Sequence, residues 1–269
     1  MRNPLLEIDS DKFISKPKPI EKEQVRVIEN VAAVDFAQKD DFPKVSVIIP
    51  ALNEEKSIGA VLNAIPRDLV SEIIVVDNGS TDRTQEVAKH CGATVIFQPI
   101  RGYGEACLAG IEAVQNSAEI IAFVDADFSD YPEDLEHLLQ PIVNDEAEMV
   151  IGSRTKNRES KKALTPQQVY GNWLATTLVR LFWGFRYSDL GPFRAIKKES
   201  LDTLGMIDTN YGWTIEMQIK ALQQKLAIVE VPVRYRIRIG KSKISGTVKG
   251  TFLAGTKIIY TIFKYALKR

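Results

Sequence analysis

Between residues 45 and 151, short apolar runs rich in β-branched side chains alternate with stretches of helical length. The runs occupy 45–49, 72–76, 93–97, 120–124 and 149–151, and the helical stretches fall at 54–64, 81–90, 104–115 and 132–143. This alternation predicts a mainly parallel sheet joined by right-handed crossovers. In an open sheet of that kind ligands bind outside the carboxyl ends of the strands. The residues that end the runs are therefore the first candidates for chemistry.

The run from Ile120 to Val124 ends in Asp125-Ala126-Asp127. Two carboxylates separated by one small residue are hard oxygen ligands. They suit Mg²⁺ or Mn²⁺ held together with the diphosphate of a nucleotide, because Mg²⁺ takes a few carboxylates plus substrate phosphate oxygens. The competing reading is an acidic turn that starts the next helix, since Ser129, Asp130 and Pro132 also make a good helix start.

Two other runs end in polar clusters at the same predicted edge. Pro50-Ala51-Leu52-Asn53-Glu54 follows the first run, and Asp77-Asn78-Gly79-Ser80-Thr81-Asp82 follows the second. Asn53 and Thr81 can cap the following helices. Asp77 and Asn78 can accept from a base N–H, and Glu54 can bind base or ribose hydroxyls. Arg101-Gly102-Tyr103-Gly104 offers flexible backbone ahead of a helix N-terminus, useful beside phosphate. It lacks the third glycine of a dinucleotide fingerprint, so Gly102 and Gly104 are expected to mark a close-approach turn beside a nucleotide.

The whole chain carries 35 Lys+Arg and 35 Asp+Glu, so its field gives no argument for nucleic acid. The distribution is uneven. From residue 231 to the end there are ten Lys or Arg and no Asp or Glu, which predicts an anionic partner for that end. Cys91 and Cys107 form neither a disulfide framework nor a zinc motif, and they fit a reducing cytoplasm. His90 and His137 have no companions at metal-ligand spacing. Residues 1–43 read as a polar extension, partly helical near 21–38, without the apolar core of a signal peptide. No stretch reaches the roughly 18 uncharged apolar residues of a membrane span. A cytoplasmic protein, soluble or peripheral at the inner membrane face, is the expectation.

The second half is less regular. A basic segment, 155–162, reads as a mobile loop, followed by helices at 166–183 and 213–224 and strands at 227–233 and 234–239. Asp189 and Arg194 are expected to form a buried pair. Residues 247–269 draw as a helix with Phe252, Ile259, Ile262, Phe263 and Leu267 apolar and five basic residues elsewhere. It can pack on the domain or lie on an anionic leaflet. The organisation expected is an extension (1–43), one α/β catalytic domain (44–246) and a basic amphipathic helix (247–269).

Five ordered motifs carry a resemblance: residues 45–54, 74–82, 124–127, Ile151-Gly152-Ser153-Arg154 and Gly240-Lys241-Ser242-Lys243. Together they resemble family 2 glycosyltransferases of GT-A fold, in the branch of dolichol-phosphate and polyprenyl-phosphate mannosyl- and glucosyltransferases. The resemblance covers about residues 44–250. It implies a Rossmann-like, mainly parallel sheet flanked by helices, a nucleotide-sugar donor of GDP-mannose or UDP-glucose type, Mg²⁺ or Mn²⁺ at Asp127 with Asp125 nearby, and inversion at the anomeric carbon. It also implies that Pro50, Leu52, Glu54, Asp77 and Asn78 meet base and ribose, and that Asp125, Ala126 and Asp127 meet ribose, metal and diphosphate. Arg154 would face the acceptor phosphate, and Arg238 and Lys243 would close over the donor diphosphate.

The chain departs from that pattern at three places. Ser129 stands where a glutamine ligand is common, Gln167 or Gln168 where a second acceptor-phosphate arginine is expected, and Arg238 lies one residue closer to Gly240 than expected, leaving Arg236 as a rival. Glu216 would orient Arg154 or Arg194 if the acceptor is a phosphate, or act as general base if it is a saccharide hydroxyl. A catalytically silent nucleotide-sugar binder on the same fold is a third reading.

Overall fold

The computed structural model describes residues 25–27, 42–240 and 248–268. Five strands appear where the apolar runs predict them: β2 (Val45–Ala51), β3 (Glu72–Asp77), β4 (Thr94–Phe97), β5 (Ile120–Phe123) and β6 (Met149–Ser153). Between them lie α1 (Ile58–Ala64), α2 (Thr84–His90), α3 (Tyr103–Ala113) and α4 (Leu135–Val143), the last preceded by a 3₁₀ turn at Pro132–Asp134. α1 begins later than expected because Glu54 first closes a turn, its carbonyl accepting from both Ser57 N and Ile58 N.

The second half adds α5 (Arg158–Ala163), α6 (Pro166–Trp183), β7 (Arg194–Lys197), α7 (Lys198–Leu204), α8 (Trp213–Gln223), β8 (Ile228–Pro232) and α9 (Val248–Leu267). The basic segment expected as a loop is helix α5, capped by the Asn157 side chain, which accepts from Glu159 N and Ser160 N. Gln168 closes a capping box with Thr165 at the head of α6, so this glutamine is committed to the helix start. The expected strand at 234–239 is instead an extended segment bearing one isolated bridge, Tyr235 to Asp130. The first strand, β1 (Val25–Val27), pairs in parallel with β8, so these three residues are strand where helix was expected. They supply partners to an otherwise bare sheet edge. The rest of the expected helix at 21–38 lies outside the described residues.

The strand order is β1-β8-β6-β7-β5-β2-β3-β4. Every pairing is parallel except those of β7, which runs antiparallel to both β5 and β6. Alternate strand residues face opposite layers. Ile48, Ile74 and Phe123 pack with α3, α6, α8 and α9, whereas Val47, Ile49, Val75 and Ala122 pack with α1, α2 and α4. Both faces are thus covered. Ile262 and Tyr265 of α9 are buried in the first layer, while Phe252, Tyr260, Phe263 and Leu267 stay exposed. No helix among the described residues is long and apolar enough to cross a membrane.

Candidate functional site

Register brings the strand ends together. Ala51 at the end of β2 lies opposite Asp77 at the end of β3, and Ile48 lies opposite Phe123 at the end of β5. Above this edge opens a cleft of about 450 Å³, lined by Pro50, Leu52, Asn53, Glu54, Asn78, Gly102, Asp125, Ala126, Asp127 and Arg238 among the expected residues. A roomier hollow of about 530 Å³ lies beside Glu119, Asp145 and Lys197, near the start of β5 and away from these strand ends.

The loops at the cleft are stitched to one another. Asn53, at φ 52°, accepts from Thr81 N at 2.7 Å and donates its own N–H to Ser80 Oγ at 2.8 Å. Asn78 donates to the carbonyls of Gln98 and Ile100 and accepts from Gly102 N at 2.7 Å. Asp77 is fully buried beneath the cleft, accepting from Ser80 N and Gln85 Nε2. It shapes the loop and does not line the cleft.

The glycines are close-approach positions, but their neighbour is protein. A Cβ on Gly102 would lie 2.2 Å from Thr209 O, and one on Gly104 would lie 2.0 Å from Asp208 O. They seat the head of α3 against residues 208–210, and Glu105 N donates to Thr209 O at 2.9 Å. Asn210 and Tyr211 of that loop line the cleft, as do Arg101 and Tyr103. Sequence reasoning missed these four as side chains. The first glycine turn flagged Arg101 and Tyr103 by position, whereas nothing local marks Asn210 and Tyr211.

Asp125 accepts from the Tyr103 hydroxyl at 3.2 Å. Burial raises its pKa, and the charge of Asp127 adds to the effect. Burial likewise raises Asp130, helped by Asp125 and Asp127, and its Oδ1 is buried without a hydrogen-bond partner. Burial at this turn thus favours the protonated forms of Asp125 and Asp130, with their acidic neighbours adding to the effect. Among the described residues no group of three or more ligating side chains could hold a metal alone. The residues fit a divalent cation that shares Asp125 and Asp127 with the oxygens of a bound diphosphate.

The segment after β8 lies across this turn with arginines at alternate positions. Arg234 pairs with Asp134, Arg236 stacks 3.4 Å from the centroid of Phe128 and 3.9 Å from that of Tyr131, and Arg238 reaches Asp127 at 2.9 Å and Glu54 at 3.1 Å. Arg236 also donates to the carbonyls of Phe128 and Asp130, holding Phe128 at φ 62°. Arg238 is therefore the cation beside the candidate metal ligands, and Arg236 is a structural staple. Lys243 lies outside the described residues.

Arg154, at the end of β6, is nearly buried and locked to Asp189 by Nε at 2.8 Å and Nη2 at 2.9 Å, with its own N–H also donating to that carboxylate. Its guanidinium stands 5.1 Å over the Tyr235 ring. Burial opposes its charge, but the contacts with Asp189, helped by Tyr235 and Asp130, together outweigh burial and raise its pKa. The expected Asp189–Arg194 pair does not form. Arg194, on β7, is fully buried and donates to the carbonyls of Thr214 and Gly191, and burial lowers its pKa to about 10. It has no route to a ligand.

Glu216 is also displaced from its expected roles. It is fully buried on α8, accepting from Ile207 N, Asp208 N and the Tyr265 hydroxyl and pairing with Lys220. It touches neither Arg154 nor Arg194. Facing inward, it fastens the 205–212 loop and α9 to α8.

A parallel sheet with one reversed strand, helices on both faces and an Asp-x-Asp turn at the strand ends defines a GT-A glycosyltransferase. More narrowly, the chain belongs to glycosyl transferase family 2, whose description matches residues 46–205. Over 218 residues it is 35% identical to an uncharacterized glycosyltransferase of Mycobacterium tuberculosis, covering 78% of this chain and 94% of that one. A dolichyl-phosphate hexose transferase of Haloferax volcanii is 32% identical over 231 residues, 84% of this chain and 96% of that protein. Among solved structures, glucosyl-3-phosphoglycerate synthase from M. tuberculosis in complex with Mn²⁺, UDP-glucose and phosphoglyceric acid superposes with a TM-score of 0.67 at 25% identity, covering 83% of this chain and 80% of that one.

Proposed function

We propose that this protein transfers a hexose from a nucleotide-diphosphate sugar to a polyprenyl phosphate, with inversion at the anomeric carbon, at a membrane surface. The observation that carries the reading is the sealing of Glu216. A hydroxyl acceptor needs a general base within hydrogen-bond reach, and the carboxylate expected to serve is fully buried among its own donors. A phosphate monoester is already anionic and needs no base. Arg154, held at the edge of the same cluster by Asp189, offers it a cation. The Haloferax relative, named for a dolichyl-phosphate acceptor, supports the same assignment.

The donor would enter the cleft with its nucleoside over Pro50, Leu52 and Asn78 and its diphosphate toward Asp125 and Asp127. A divalent cation bound at Asp125 and Asp127 would supply charge neutralisation to the diphosphate. Attack by an acceptor phosphate oxygen on the anomeric carbon, opposite the leaving diphosphate, breaks the glycosidic C–O bond in one displacement and inverts the centre. Negative charge then grows on the leaving oxygen. Arg238, already beside Asp127, is placed to receive it. The exposed aromatics of α9, with Lys264 and Lys268, give a face suited to an anionic leaflet, where a lipid-linked acceptor is found.

The test is a donor panel assayed with and without a short-chain polyprenyl phosphate, on wild type and on Arg154→Ala. Transfer that requires the prenyl phosphate is expected, and Arg154→Ala should raise the acceptor KM by about 10-fold or more while leaving nucleotide affinity within about 2-fold. Efficient transfer to a saccharide hydroxyl, or equal loss of donor and acceptor in the variant, would overturn the reading.

A further inference from the structure

A buried carboxylate with no part in the mechanism above lies behind Arg154. Glu230, at the centre of β8, is 1% exposed. It accepts from Ser188 N at 2.9 Å, from Ser188 Oγ at 2.9 Å and from Asp189 N at 3.3 Å. Asp189 then accepts all three of its contacts from Arg154. Burial pushes the Glu230 carboxyl up to about 7, against the pull of Ser188. An acidic group held there at that expense serves donors that no apolar residue could satisfy.

The surroundings lock the same unit from other sides. Ser153 Oγ lies 2.7 Å from Ser188 Oγ, which already donates to Glu230, so the Ser153 hydroxyl is the donor to Ser188. Thr155 Oγ1 donates to Ser188 O at 2.9 Å, and the Asn172 amide of α6 donates to Ser188 O and accepts from Leu190 N. Ser153 and Thr155, which flank Arg154, are thus interlocked with Ser188, and the sheet contributes Glu230 as the acceptor shared by Ser188 and Asp189. In the parallel register Glu230 stands opposite Ile151, three residues before Arg154.

We infer that Glu230 is a positioning residue for the acceptor: it fixes the Ser188–Asp189 turn, and through it the angle at which Arg154 meets the acceptor phosphate. The inference rests on Arg154 facing a phosphate acceptor, as proposed above. Above about pH 7, where Glu230 is ionised, a glutamine at 230 keeps the volume but offers one acceptor oxygen in place of two and turns an N–H₂ toward Ser188 N, which Oε2 otherwise accepts at 3.1 Å. The turn would relax and Arg154 would lose its fixed direction, while the donor cleft, which Glu230 does not line, would be untouched.

The experiment compares Glu230→Gln, Arg154→Ala and the double variant in the full chain, with Ser188→Ala as a milder probe should Glu230→Gln fail to fold. The acceptor KM for a short-chain polyprenyl phosphate, kcat at saturating acceptor, and nucleoside-diphosphate affinity in Mn²⁺ by calorimetry are measured for each. Glu230→Gln should raise acceptor KM by about 10-fold with nucleotide affinity within about 2-fold of wild type, and should add less than about 2-fold in the Arg154→Ala background, because the two act through one contact. Ser188→Ala should show the same pattern at smaller size. An unchanged acceptor KM, a fall in nucleotide affinity equal to the change in acceptor KM, or full additivity with Arg154→Ala overturns the inference. If wild type itself transfers nothing to a prenyl phosphate, the acceptor assignment fails first and this inference falls with it.

Discussion

Gly104→Ala adds one carbon at the place where α3 meets the 208–210 loop. The new Cβ would stand 2.0 Å from Asp208 O, 2.6 Å from Thr209 C and 2.8 Å from Asn210 N, and all three are backbone atoms. A carbon–oxygen contact needs more than 3 Å, so loop and helix must separate by about 1 Å, and no flexible side chain can absorb the movement. Overpacking of this kind costs about 1–3 kcal/mol, and the backbone clash puts it at the upper end. For a chain of this size each kcal/mol lowers Tm by about 2–4 °C, which gives a fall of about 5–10 °C by calorimetry or circular dichroism. Because Asn210 and Tyr211 line the donor cleft, nucleoside-diphosphate affinity should fall as well, by about 10-fold or more. A Tm within about 2 °C of wild type together with unchanged nucleotide affinity would refute the claim that this contact sets the cleft.

Asp127→Asn should reduce metal-dependent turnover by about 10²-fold or more while far-ultraviolet circular dichroism stays native, and full activity in Mn²⁺ would remove Asp127 from the metal site. Stability should fall as pH rises from about 4.5 to about 7, because Glu230 keeps its proton in the folded chain up to about 7 whereas its ordinary value is 4.5. The stabilisation is complete below the lower value and lost above the higher one. At about 1.4 kcal/mol per pH unit the span is on the order of 3 kcal/mol, which Glu230→Gln should flatten in denaturant titrations, and an equal slope in the variant would contradict the assignment. Full-length protein should sediment with anionic liposomes at low salt and release at high salt, and replacing Phe252, Tyr260 and Leu267 together by serine should abolish binding without unfolding the chain; retention of binding would place the contact elsewhere.

The alternation of apolar runs was enough to locate β2, β3, β5 and β6, because central parallel strands are buried on both faces and their sequences show it. β7 escaped notice. Arg194-Ala195-Ile196-Lys197 has charged ends and too few residues to show a period, and it is a strand only because β5 and β6 leave a slot between them. The cleft followed from the strand ends, so Asp125, Asp127 and Glu54 were found directly, and the resemblance separately supplied Arg238. Pairing in space was less legible. Proximity in sequence suggested Asp189 with Arg194, yet the turn at Ser188 aims Asp189 at Arg154, 35 residues away. Glu216 looked like a base because its type and position allow one, and only its burial and donors reveal an anchor. For α9 the packed reading holds: Ile262 and Tyr265 are core, so deleting the helix would open the domain, while Phe252, Tyr260, Phe263 and Leu267 stay exposed.

The slot that β7 fills has a consequence for synthesis. β5 ends at Phe123, but its neighbour on that side is β7, which ends at Lys197, and β6 and β8 can join the sheet only beyond it. At about 5–20 residues per second the 74 residues from 123 to 197 take about 4–15 s to appear, and throughout that interval β5 presents an unpaired, apolar edge. The nascent chain is most prone to aggregate in this window, and a fragment ending before residue 194 keeps the edge open permanently. A fragment ending before residue 194 is therefore expected to aggregate on expression, and ribosome-bound chaperones should engage this chain most strongly between the emergence of Phe123 and that of Lys197.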